Sequence, residues 1–224
     1  VLAYSQSHRM DSQGKITGSW KSHTDDLDSE LFKHDFDMNG WEYIHRFLNI
    51  KNTIPNASAV LFKKQTYLQI EGACSHLNLI GDWSVWAKIV SRGDIHFSSR
   101  CLNDFRYHAT SVIATAKQTS GPFRLRRQII LFRSEISNFW QHHLSDSELT
   151  PQIYKKNKIF LYKEVVRNCS FAIRRRHFEE IIPTIRDACN ILPVYLLPIF
   201  MFKMAIKLIY SIIFDAPIKK LLKK

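Results

Sequence analysis

The chain has 224 residues, of which 45% are hydrophobic and 12% aromatic, enough for a sizeable core and against wholesale disorder. Its net charge of +12 is uneven: 12 of the 32 Lys/Arg and 12 of the 20 Asp/Glu lie in residues 1–116, so the whole excess falls in 117–224. Only 7 glycines are present, none in a Gly-x-Gly or P-loop pattern, and the four cysteines show no CxxC or Cys/His spacing. These counts exclude a glycine-built phosphate cradle and a zinc site, and favour free thiols in a reducing compartment.

Val1 to Ser5 is an apolar run that predicts a buried strand, followed by a turn at Asp11-Ser12-Gln13-Gly14. Lys21 to Asn39 is polar and acid-rich and reads as a surface loop. Its two Asp-x-Asp triplets, Asp26-Leu27-Asp28 and Asp35-Phe36-Asp37, therefore read as solvated and not as metal ligands at a strand end. Trp41, Ile44 and Leu48 recur at helical spacing after Asn39-Gly40. Ile54-Pro55 introduces a second strand over 56–62.

Gly81 to Val90 predicts an amphipathic helix with Trp83, Trp86, Ile89 and Val90 on one face, stopping at Gly93. Asp82 stands at its start. An aspartate there caps orphan backbone amides. The same position, with tryptophans beside it, can also hold a carboxylate rigidly as a general base. Ile95 opens a third strand that leads to Phe105, Arg106, Tyr107 and His108. Alternation in a strand puts Arg106 and His108 on one face, as a solvated edge or as a cationic pair able to meet phosphate.

In the basic half, Ser120-Gly121-Pro122 opens a helix whose Leu125, Ile129, Phe132, Ile136 and Phe139 form a stripe, with Arg124, Arg126, Arg127 and Arg133 largely off it. His142-His143 reads as that helix's end. Thr150-Pro151 resembles an N-cap with proline at the first helical position, opening a helix toward Asn168. From Ile191 to Phe214 the chain is nearly all apolar but carries Pro193, Pro198, Lys203 and Lys207. Two lysines near a bilayer centre cost about 2.5–3.5 kcal/mol each, so a span is disfavoured. A helix lying in the interface, with its lysines on anionic headgroups, fits better; a buried C-terminal helix is the alternative. Basic residues interleaved with aliphatic stripes and no recognition motif argue against nucleic acid as a partner.

Four segments in order resemble the second half of an inverting family 2 glycosyltransferase. "VLAYSQSHRMDSQGKITG" resembles the strand and turn after that family's metal-binding Asp-x-Asp, and "NTIPNASAVLFKK" the acceptor-side strand. "GDWSVWAKIVSRGDIHF" is similar to the base-bearing helix and its next strand, and "CLNDFRYHATSV" to the closing asparagine-aromatic-arginine-x-histidine segment. The resemblance covers residues 1–112 or so and none of 117–224. It implies an α/β fold, a partial GT-A (Rossmann-like) mixed sheet with helices followed by a mainly helical C-terminal region.

In that scheme residues 1–116 form the acceptor-side half of the catalytic domain, 117–190 a basic helical extension, and 191–224 a membrane-interface helix and tail. The family implies Asp82 as catalytic base and Asn56, Trp83, Arg106 and His108 as substrate contacts. Its partners are a nucleotide-sugar donor and a glycan or lipid-linked acceptor. Its cofactor is a divalent metal, manganese or magnesium, whose Asp-x-Asp ligands this chain lacks. With no initiator methionine, the chain reads as a fragment that is inactive without the nucleotide-binding half. The expected location is cytoplasmic, peripheral at the inner face of an anionic membrane. A non-catalytic membrane-docking or partner-binding module is the alternative.

Overall fold

The computed structural model describes residues 1–108 and 111–189. It is a mixed α/β structure: a five-stranded mixed sheet with helices packed against it. Strand β1 (Leu2–Met10) is its axis. It pairs in parallel with β5 (Ile95–Arg106), and antiparallel with β2 (Ile16–Ser19) at one end and β4 (Val60–Phe62) at the other. Strand β3 (Phe36–Met38) adds antiparallel to β5. The β1–β5 register shifts on both sides of Gln6, with the extra residues in β5.

The stretch from Lys21 to Asn39 is not the loop its composition predicts. It holds a 3-10 turn at Lys21–Thr24, helix α1 (Asp25–Asp28), a second 3-10 turn at Leu31–Lys33, and β3. The reason is Phe32 and Phe36: Phe32 is buried against Phe36, Phe47 and Phe97, and that apolar anchorage outweighs the surrounding charge. Next comes α2 (Gly40–Tyr43), capped by Asn39, whose side chain accepts from the amides of Trp41 and Glu42. A π turn over Ile44–Leu48 extends it and completes the expected helix. Gly40 is required there, because a Cβ would lie 1.8 Å from the carbonyl oxygen of Val90.

The expected strand over 56–62 begins instead as a 3-10 turn at Ala57–Ala59 before β4. Helix α3 (Lys64–Gln69) follows, then α4 (Gly81–Val90). Every residue of α4 from Trp83 to Val90 is buried, including Lys88 and Ser84, so it is not the one-faced helix of the pattern. The cause is α5 (Val112–Gln141), which covers its second side. Phe132, Ile136 and Trp140 of α5 share one core with Trp83, Trp86, Ile89 and Val90. The change in charge near residue 116 is therefore not a break in packing.

Helix α5 starts at Val112 rather than at Ser120, with Gly121 and Pro122 inside it. A proline removes one ladder bond, which a 30-residue helix anchored by its later turns absorbs. Helix α6 (Thr150–Arg175) returns antiparallel in sequence order after a short turn. Thr150 and Pro151 lie one position inside its start, Leu149 being the cap. It runs past Asn168 to end on Arg176 in the left-handed conformation (φ +61°). After a 3-10 turn at Phe178–Glu180, α7 (Ile181–Cys189) packs on α5 and α6 around Ile130, Leu161, Val165, Cys169 and Ala188. His142 and His143 do end α5, with their Nδ1 atoms on the carbonyls of Asn138 and Phe139 at 2.7 and 2.6 Å.

Candidate functional site

Asp82 lies in the first turn of α4, half-buried. Its Oδ1 accepts the amide of Trp83 at 2.7 Å. Burial raises its carboxyl above the usual aspartate range, while the Trp83 amide and the Asn52 side chain pull the other way. Asn52 is oriented for this by Ile54, whose amide donates to its Oδ1 at 3.3 Å. The carboxyl is thus fixed at a helix start by the Trp83 amide and biased by burial toward keeping its proton.

From Asn52 the contacts continue to the ends of the parallel strands. Its carbonyl accepts Nε2–H of His23 at 2.8 Å. Burial, followed by the nearby Lys51, lowers the pKa of that imidazole and keeps it neutral, in spite of the bond to Asn52. The ring of His23 meets Trp20 edge-on at 5.3 Å, and Trp20 packs on Phe105 and Tyr107 of the chain leaving β5. The carboxyl ends of β1 and β5 are therefore joined to Asp82 through Asn52, His23 and Trp20. Crevices at the carboxyl ends of parallel strands are where open α/β sheets take ligands.

The loop carrying Asn52 is fastened from behind. Arg133 of α5 is 4% exposed. It donates to the carbonyls of Asn49 and Ile50 and to Oδ1 of Asn157, with the rings of Trp83, Phe132 and Phe160 around it. Burial lowers its pKa to about 10, so it stays charged at neutral pH. Lying off the apolar stripe does not expose Arg133: α5 is packed on two sides, and the guanidinium is the donor that the loop carbonyls need. At the other end of the loop, Thr53 bonds the Tyr43 hydroxyl at 2.8 Å, which bonds that of Tyr4 at 2.6 Å.

The other expected substrate contacts separate into two groups. Asn56 is 5% exposed and both ends of its amide are engaged. Nδ2 donates to Ser7 Oγ at 3.0 Å, and Oδ1 accepts from Ser58 and Asn103 at 2.8 and 3.0 Å. Trp83 is 7% exposed, stacked on Phe132 at 4.2 Å, and its Nε1–H donates to the carbonyl of Leu48 at 2.8 Å. Both side chains hold the scaffold, and neither offers a surface to a sugar. Their types suited ligand contact, but each satisfies a buried demand first.

Arg106 ends β5, exposed, with Nη1 donating to the carbonyl of Ser12 in the β1–β2 turn at 2.9 Å. His108 follows just outside the strand, also exposed. The sequence pattern missed Asn52, His23 and Trp20. Asn52 lies inside the "NTIPN" segment and could have been taken from it; His23 and Trp20 carry no local signal.

The Asp-x-Asp triplets are engaged in structural bonds. Asp26 pairs with Lys51 at 2.8 Å, and Asp28 accepts the Leu31 amide at 2.9 Å and meets Arg46 at 3.2 Å. The amide and hydroxyl of Ser99 bind Asp35 and hold its carboxyl below the usual range, and Asp37 lies 2.9 Å from His96. Among the described residues no group of three His, Cys, Asp or Glu is placed to hold a metal ion. Cys74, Cys101 and Cys169 are free thiols. No helix of the described residues is long and apolar enough to cross a membrane, and the expected interface helix over 191–224 lies outside them.

Comparison with protein-family models, with curated proteins and with solved structures finds no match to this chain.

Proposed function

We propose that this chain is the acceptor-side half of an inverting glycosyltransferase of the GT-A type, with Asp82 as the general base. The observation that supports this most is the placement of Asp82. It is a half-buried carboxyl with a raised pKa, fixed by Trp83 and Asn52, and connected to the carboxyl ends of two parallel strands.

In the reaction, the Asp82 carboxylate takes the proton of an acceptor hydroxyl. The hydroxyl oxygen bonds to the anomeric carbon of the donor as the bond from that carbon to the nucleoside diphosphate breaks, with inversion. In this proposal Arg106, exposed at the end of β5, offers guanidinium donors to the departing phosphate. The nucleotide-binding strands and the divalent metal that this class uses belong, in this proposal, to chain outside these residues.

The test is Asp82→Asn in the complete natural polypeptide, assayed for sugar transfer with a panel of nucleotide sugars. Removing a general base costs about 10²–10⁴ in rate. Transfer should fall by that factor while the melting temperature stays at or above that of the parent; undiminished transfer would sink the assignment.

A further inference from the structure

The connection from α3 into α4 meets α4 and α5 at a cluster of nucleophilic and ionisable side chains. Cys74, in that connection, is half-buried. Its Sγ donates to Oε1 of Glu135 on α5 at 2.8 Å. Nζ of Lys88, on α4 and 9% exposed, lies 2.6 Å from the same oxygen and 3.6 Å from Cys74 Sγ. The Ser84 hydroxyl also donates to Oε1, at 2.9 Å. The other oxygen, Oε2, is buried and takes no hydrogen bond among the described residues, and His76 Nε2 stands 3.5 Å from it. A thiol and a primary amine are therefore in near contact across one carboxylate. Cys101 and Cys169 are on β5 and α6 as free thiols, so among the described residues the nucleophile beside Cys74 is the Lys88 amine.

Burial, then the Glu135 carboxylate, pushes the Cys74 thiol up. Burial pulls the Lys88 ammonium down, but Glu135 more than offsets it. Both groups rest protonated, and joining them must remove protons from each. Glu135 is the acceptor within reach of both. We propose that Cys74 and Lys88 are a modification site for hydrogen peroxide, which joins them through a sulfenamide bond with Glu135 as the base. In the first step Glu135 takes the thiol proton, and Sγ bonds to one peroxide oxygen as the O–O bond breaks. The departing hydroxide recovers that proton as water. Sulfur is oxidised by two electrons to the sulfenic acid, and the peroxide is reduced. In the second step Lys88 gives one ammonium proton to Glu135, and Nζ bonds to Sγ as the S–OH bond breaks. The hydroxide leaves as water with a second proton from Nζ, and the first passes from Glu135 to solvent. Closing the 3.6 Å gap asks little of the fold, because Lys88 ends a flexible stem and Cys74 lies outside the helices. The ring so closed, from 74 to 88, contains Asp82 and the start of α4.

For the test, the 224-residue chain is treated with hydrogen peroxide under native conditions, digested with trypsin and read by mass spectrometry. The expected product is the peptide 65–92, uncut at Lys88, lighter than its unoxidised form by two hydrogens and restored by dithiothreitol. Lys88→Arg keeps the charge without the amine, and should stop at the sulfenic acid, trapped by dimedone. Glu135→Gln should slow the crosslink about a hundredfold, the scale of a lost base. Should that variant not fold, the parent chain treated in urea, where the three groups separate, should give no crosslink. Normal cutting at Lys88 after Cys74 has oxidised, an equal crosslink yield in urea, or an undiminished rate in Glu135→Gln would each overturn the proposal. A bridge heavier by one oxygen would overturn the S–N bond, and a Cys74 that peroxide leaves unoxidised would overturn the site.

Discussion

A carboxylate that is half-buried at a helix start works against the fold at neutral pH, because burial disfavours its charge. The raised pKa of Asp82 gives the sign. In its protonated form the group adds stability that is fully present below the ordinary value of 3.8 and lost as pH rises through the higher folded value. Asp82→Asn should therefore raise the melting temperature at pH 7, and the gain should shrink to nothing as pH falls below 3.8. A melting series across pH checks it; a variant less stable at pH 7 would show that the carboxylate is a structural cap. Arg133 is the second residue-scale case. Arg133→Ala leaves the carbonyls of Asn49 and Ile50 and the side chain of Asn157 without their donor, and empties space beside Trp83. Orphaned acceptors and the cavity together should cost about 3 kcal/mol in a denaturant titration, in excess of the relief from burying one charge fewer.

At the scale of elements, Gly40 is the point where α2 meets the backbone of α4. Gly40→Ala places a methyl carbon 1.8 Å from the Val90 carbonyl oxygen, and both partners are backbone, so a helix must move. The expected loss is about 2–4 kcal/mol, read as an earlier melting transition, with Asp82 displaced because it rides on α4. Strand β1, α4 and the 95–106 strand were legible because apolar runs and helical spacing do not depend on distant partners. What was not legible followed from partners far along the chain. Phe32 turned a charged stretch into β3 and its neighbours, and α5 buried the polar side of α4. Lys88 shows the latter: its Nζ reaches Glu135 of α5 at 2.6 Å, and Glu135 also accepts from Cys74 and Ser84. Burial opposes the Glu135 charge, yet those bonds hold its carboxyl below the usual glutamate range.

At the scale of the described residues, the neutral part and the basic stretch up to residue 189 are one packed body. Phe132, Ile136, Trp140 and Ile153 from α5 and α6 share a core with the strands and α4, and Arg133 fastens the loop behind Asp82. A chain ending at residue 116 should therefore lose cooperative melting and dispersed amide resonances, whereas one ending at 189 should keep both. Several cations of the basic half are used internally: Arg127 pairs with Asp187, Arg167 with Glu164, and Arg126 and Arg175 lie over Phe171. Candidate-site legibility followed the same divide. A segment pattern offers Asp82 and Arg106 as candidates, but the burial of Asn56 and Trp83 is not legible in it, because residue type does not reveal which buried bonds a side chain must make. The 191–224 tail, with its six lysines and apolar run, remains an expectation of composition. Flotation of the full chain should require anionic lipid, and equal binding to neutral vesicles would count against it.

A base of the proposed transfer must titrate together with the reaction. The Asp82 carboxyl can be followed by site-resolved carbon NMR, and the acid limb of kcat/KM for sugar transfer by the complete natural polypeptide reports the essential base of the free enzyme. The two midpoints should coincide, above the ordinary aspartate value of 3.8. An acid limb more than about one pH unit from the Asp82 midpoint, or an Asp82 that titrates at or below that value, would contradict the assignment.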